Sequence, residues 1–214
     1  IGHRDLSNLH QESITIINNE DNFAHVLSHI TRYLGYETHV VDTFDYDVIN
    51  DTSDLVVLGP GPGDINDENN TRMHRLLQIT NMLAARNTPT LGVCLGLQAM
   101  AKCIGMPVQR QAIPTQGMQV EIDLFGKTER VGMYNSFSPM AENVPTGFEV
   151  SVNEDNRIMA LKSENIWGFQ FHVESAMTEN GLEILTEALN SLMGIRERRR
   201  LSFESFVEKS ISGK

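Results

Sequence analysis

The sequence predicts an α/β protein built on a mostly parallel sheet, with helices on both faces and a smaller antiparallel extension. Three observations carry this expectation. Short β-branched or leucine-rich runs with little polar alternation, "ITIIN" at 14–18, "DLVVLG" at 54–59 and "PTLGV" at 89–93, suit strands buried on both faces. Segments with apolar residues at helical spacing separate those runs. The second half instead places strand-like segments close together, with turn residues between them.

The elements follow in order. After the strand at 14–18, "FAHVLSHITRYL" at 23–34 has helical spacing and is stopped by Gly35. "THVVD" at 38–42 reads as a second strand, and 54–59 as a third that runs into the turn-rich "PGPGD". "MHRLLQITNMLAA" at 73–85 reads as a helix and 89–93 as the fourth strand, with another helix opening near Cys94 and reaching Cys103. "GMQVEIDLF", "FEVSV", "RIMALKS" and "IWGFQF" supply the later strands, and 178–193 returns to helical spacing with Thr178 placed to cap it. Residues 1–13 read as a linker or the end of an upstream domain, 14–193 as one domain, and 194–214 as a C-terminal extension. That extension suits an amphipathic helix or a tail that orders against a partner.

Composition narrows the function. At 214 residues the chain can bury a core without metals or crosslinks. No apolar run approaches the roughly 20 residues of a membrane span, and no export signal opens the chain, so a cytoplasmic protein is expected. A formal net charge of −11 argues against a nucleic-acid partner, because phosphate binding needs a basic face. The one cationic cluster, Arg196, Arg198, Arg199 and Arg200, is local. Two cysteines in a reducing compartment read as thiols with separate roles.

Chemistry concentrates at "GVCLG", 92–96. A nucleophile flanked by glycines at a strand-to-helix turn needs small neighbours for clearance. A thiol there meets the free N–H groups and positive end of a helix, which favour the thiolate. The competing reading is a buried structural cysteine, but flanking glycines arise by chance only about once in 200. Cys103, without such flanks, reads as core. Six of the seven histidines lie in the first 74 residues, and the seventh is His172. In an extended segment His172 and Glu174 project to one face, so they can pair as base and orienter for Cys94. Gly59-Pro60-Gly61-Pro62-Gly63 could bring backbone N–H groups to a developing oxyanion, or could be a tight turn. It lacks the Lys-Ser/Thr ending of a phosphate loop. Gln98, four residues after Cys94, shares its helix face and could bind a polar substrate group.

"LGPGPGD", "GVCLGLQAM" and "FQFHVES" occur in the order and spacing of class I glutamine amidotransferase domains, which the chain resembles over about residues 14–193. The resemblance implies a flavodoxin-like fold and a Cys-His-Glu triad that hydrolyses glutamine to glutamate and ammonia. It assigns Cys94 as nucleophile, His172 as general base and acid, and Glu174 as orienter. The backbone at Gly61 and Leu95 would form the oxyanion hole, while Gly61, Pro62, Gly63, Gln98, Ser136 and Phe137 would hold glutamine. No metal or other cofactor is implied in this domain.

Within the class the chain looks most like the group serving chorismate-using synthases, although Leu97, Gln116 and Asn135 stand where anthranilate-type domains carry histidine. Residues 115–137, "TQGMQVEIDLFGKTERVGMYNSF", resemble amidotransferase domains of phenazine-pathway 2-amino-2-desoxyisochorismate synthases. The implied partner is a chorismate-binding, Mg²⁺-carrying synthase domain, fused N-terminally, reached through an ammonia channel and dimeric as the full-length enzyme. The alternatives are the amidotransferase component of anthranilate or aminodeoxychorismate synthase, a γ-glutamyl peptidase, and a non-catalytic interaction or redox-sensing domain.

Overall fold

Ile14, Ile16 and Ile17 are fully buried in the first strand, which fits a run with no exposed face. The computed structural model describes residues 12–194. The expected linker up to residue 11 and the extension from 195, with its arginine cluster, lie outside the described residues. The main sheet contains β1 (Ser13–Asn18), β2 (Glu37–Asp42), β3 (Leu55–Leu58), β4 (Thr90–Val93), β7 (Glu149–Val152), β8 (Ile158–Lys162) and β9 (Ile166–Phe169). Their order is β2-β1-β3-β4-β9-β8-β7. The first five in that order are parallel, and β8 and β7 extend the sheet antiparallel.

Among the described residues the helices are α1 (Phe23–Tyr33), α2 (Thr71–Ala85), α3 (Leu95–Cys103) and α4 over residues 181–194. Alternation along the strands divides the core. Leu55 and Val57 of β3 join Ala24 and Leu27 of α1 and Leu185 and Leu189 of α4 on one face. Val56 and Leu58 join Met73, Leu76 and Ile79 of α2 and Leu95 and Ala99 of α3 on the other. α2 is capped by Asn70, whose side chain accepts from the N–H groups of Arg72 and Met73.

The antiparallel part departs from a simple extension. Its longest ladder, β5 (Val108–Leu124) against β6 (Lys127–Pro139), forms a separate two-stranded sheet. Phe125 and Gly126, at φ 52° and 87°, make the two-residue turn that joins them. Register shifts interrupt β5 between Arg110 and Thr115, where Pro114 has no N–H to give a ladder.

Register brings three strand ends together. Leu58 of β3 lies opposite Gly92 of β4, and Val93 lies opposite Phe169 of β9. The segments that follow, 59–63, Cys94 and 170–174, therefore emerge side by side at the carboxyl edge of the parallel sheet, where such folds bind ligands. Among the described residues no helix is long and apolar enough to cross a membrane.

Candidate active site

Cys94 sits at the junction of β4 and α3 with φ 52° and ψ −104°, a conformation that side chains rarely adopt. Both sides of the turn hold it there. Its N–H donates to the Phe169 carbonyl at 2.7 Å, extending the β4–β9 ladder, and its carbonyl accepts from Gln98 N–H at 3.1 Å, the first α3 bond. The flanking glycines are required by space. A Cβ on Gly92 would lie 2.7 Å from Met100 Sδ, and one on Gly96 would lie 2.8 Å from Leu58 Cβ and closer still to its carbonyl. The sulfur is all but buried, with Cys94 6% exposed.

His172 approaches from the turn after β9. Its Nδ1 lies 2.7 Å from Glu174 Oε1. A carboxylate only accepts, so Nδ1 carries the hydrogen and the other ring nitrogen is left for Cys94, which hydrogen-bonds the ring. Burial by itself would disfavour the imidazolium. The hydrogen bonds and charges of Cys94 and Glu174 outweigh it, lifting His172 to about 10 and holding a proton on the ring. Phe23 and Tyr134 wall the imidazole, with ring centroids 4.7 and 5.0 Å away.

The local geometry corrects two expectations. His172 and Glu174 do not share a face of an extended strand: β9 ends at Phe169, and Ser175 N–H closes a turn on the His172 carbonyl at 3.1 Å. The turn brings the pair together through the protein's own bonds. Thr178 does not cap the following helix, which begins at residue 181. Its hydroxyl donates to the His172 carbonyl at 2.7 Å and accepts from Gly132 N–H at 3.0 Å, tying the histidine turn to β6. The Gly132 carbonyl in turn accepts from His172 N–H at 2.9 Å.

The glycine-proline loop packs against this centre. A Cβ on Gly61 would stand 3.1 Å from Leu95 Cδ2, so the Gly61 backbone lies beside the opening residue of α3. Leu95 N–H, at the first helical position, has no intrahelical acceptor and is free to face a ligand. Asn19, fully buried after β1, holds the loop by donating to the Gly59 carbonyl at 2.8 Å. Pro62 and Gly63 are exposed.

Gln98 and Phe137 meet, because Gln98 Nε2 donates to the Phe137 carbonyl at 2.9 Å. The same nitrogen contacts Gln170 Oε1 at 3.3 Å, which leaves Gln98 Oε1 as the end open to a ligand. The Phe137 carbonyl also accepts from Asn135 Nδ2 at 2.8 Å. Ser136 is partly exposed beside them. Asn19, Gln170 and Thr178 were absent from the sequence-derived site. The available signal was strongest for Gln170, a polar residue between two phenylalanines. Cys103 lies apart, its Sγ 3.8 Å from the Leu77 carbonyl and its thiol pushed up to about 11 by burial against the opposing Lys102 charge. Neither the cavity of about 380 Å³ at the opposite edge of β3 and β4 nor that of about 400 Å³ beneath β5 is lined by Cys94, His172 or Glu174. Cavity size does not mark the chemistry here.

The family model for class-I glutamine amidotransferases matches residues 15–192. The chain belongs to this family. It is 33% identical over 183 residues to a phenazine-specific anthranilate synthase of Pseudomonas chlororaphis, covering 82% of this chain and 29% of that protein. It thus spans about 29% of that relative's length. It is 34% identical over 199 residues to anthranilate synthase component 2 of Helicobacter pylori, covering 85% of this chain and 98% of the other. A solved structure from Thermoplasma acidophilum, assigned to a GMP synthase, superposes with a TM-score of 0.76 at 22% identity, covering 89% and 98% of the two chains, which shows the amidotransferase fold. Among the described residues no group of three or more His, Cys, Asp or Glu side chains could hold a metal ion.

Proposed function

We propose that the chain hydrolyses glutamine to glutamate and ammonia through a Cys94 thioester, and delivers the ammonia to a chorismate-binding synthase domain that makes 2-amino-2-desoxyisochorismate. The observation that carries the chemistry is the strained Cys94 turn beside a His172 ring held at 2.7 Å by Glu174. The Cys94 thiolate attacks the γ-carboxamide carbon, and the oxyanion collects the N–H groups of Gly61 and Leu95. The carbon–nitrogen bond then breaks as His172 gives its proton to the departing nitrogen, releasing ammonia. A water, deprotonated by His172, opens the thioester and restores the thiol as glutamate leaves. Glutamine is held by Gln98 Oε1 with Gly61, Pro62, Gly63, Ser136 and the Phe137 backbone.

The phenazine-specific relatives and the resemblance of 115–137 support the pathway. The partner domain binds Mg²⁺ and chorismate, and the reaction runs in the cytoplasm. Ammonia released into water at neutral pH is protonated and no longer a nucleophile, so direct passage to the partner fits the chemistry. The test uses the complete synthase. Cys94→Ser should abolish amination of chorismate with glutamine and preserve it with ammonium, and mass analysis should identify 2-amino-2-desoxyisochorismate. Retained glutamine-dependent amination would overturn the catalytic reading, and an anthranilate or aminodeoxychorismate product would overturn the pathway.

A further inference from the structure

We propose that Gln170 is a further group on the nucleophile: its side-chain amide holds a fixed N–H donor on the Cys94 sulfur and so stabilises the thiolate. This rests on the glutaminase reading above. Gln170 is fully buried between Phe169 and Phe171, whose rings lie 5.0 Å apart. A neutral amide in such surroundings persists only if its polar atoms are paired. Its Nε2 lies 3.7 Å from Cys94 Sγ, within reach of a bond to sulfur.

The direction of that amide is forced by its neighbours. The Phe137 carbonyl can only accept, so Gln98 must turn its NH₂ group there. The second hydrogen of the same group meets Gln170 Oε1 at 3.3 Å. Gln170 therefore shows its oxygen to Gln98 and its NH₂ to the sulfur; the flipped amide would set two NH₂ groups against each other. Asn135 fixes the far end, giving one hydrogen to the Phe137 carbonyl at 2.8 Å and another to Ser138 Oγ at 2.9 Å. Gln170 N–H, bonded to the Met159 carbonyl at 2.9 Å, holds the backbone. A donor aimed at sulfur strengthens when the sulfur is charged and cannot take the thiol's proton, so it favours the anion. It also directs the sulfur from a second side. The titratable groups facing the sulfur are His172 and, behind it, Glu174.

The test is the pH profile of Cys94 alkylation by iodoacetamide in the full chain, located by peptide mass, together with glutaminase kcat and KM. In Gln170→Met the acidic limb should move up, with the rate at neutral pH about 3–10-fold lower and recovered at high pH. The KM for glutamine should change less than kcat. Gln170→Glu, the isosteric change, is the second variant; its carboxylate should push the limb further upward. A profile in either folded variant that superimposes on the wild type overturns the role of Gln170. Alkylation of wild-type Cys103 in preference to Cys94 would instead overturn the glutaminase reading itself.

Discussion

Glu174 Oε1 lies 2.7 Å from His172 Nδ1, and neither side chain is more than 2% exposed. The carboxylate fixes which ring nitrogen carries the hydrogen and stabilises the ring when it is charged. Glu174→Ala should lower glutaminase kcat by about 10²–10⁴-fold with little change in KM, measured as glutamate release. A loss confined to KM would mean that Glu174 holds the substrate and not the histidine.

The same pair predicts how stability depends on pH. His172 binds its proton more tightly in the folded protein, at about 10, than at the ordinary value of 6.5. Its contribution to stability is therefore fully present below about 6.5 and is lost as pH rises through about 10. The urea midpoint difference between the wild type and His172→Gln should be largest near pH 6 and shrink toward pH 10. A difference that grows with pH would show the opposite shift.

Thr178 tests the link between the histidine turn and β6. Thr178→Val removes both the bond to the His172 carbonyl and the bond from Gly132 N–H, which takes that partner from the buried Gly132 N–H and leaves the His172 carbonyl with Ser175 N–H alone. Stability should fall by about 1–3 kcal/mol for a lost partner, with a fall in kcat, and Thr178→Ser should recover most of both. Equal stability of the Val and Ser variants would show that the hydroxyl does not matter.

Backbone strain at Cys94 separates catalysis from stability. Cys94→Ala and Cys94→Gly should both be inactive, yet the glycine variant should be the more stable by about 1 kcal/mol, because φ 52° costs a glycine little. Thermal unfolding of the two variants decides it. An alanine variant as stable as the glycine one would remove strain from the description of the turn.

Much of this was legible because the physics is local. β1, β3 and β4 are buried on both faces, which writes them as continuous apolar runs. The glycines around Cys94 answer to close contacts that any side chain would break. His172 stood out because the other histidines fall early in the chain. β6 was missed because "KTERVGMYNSFSP" mixes charge, glycine and serine, and its strand form comes from the distant β5 ladder. The turn at 172–175 and the inward use of Thr178 are set by Gly132, forty residues away in sequence from His172. Gln170 shows its role only when Gln98 and Phe137 are seen beside it.

The most direct measurement is covalent capture by a glutamine-analogue electrophile, 6-diazo-5-oxonorleucine, followed by peptide mass mapping. One equivalent should add to Cys94, be blocked by glutamine, and slow sharply in His172→Gln. Modification of Cys103 with Cys94 untouched, or labelling of Cys94 that glutamine does not protect and His172→Gln does not slow, would contradict the pairing of these two residues as a glutaminase centre.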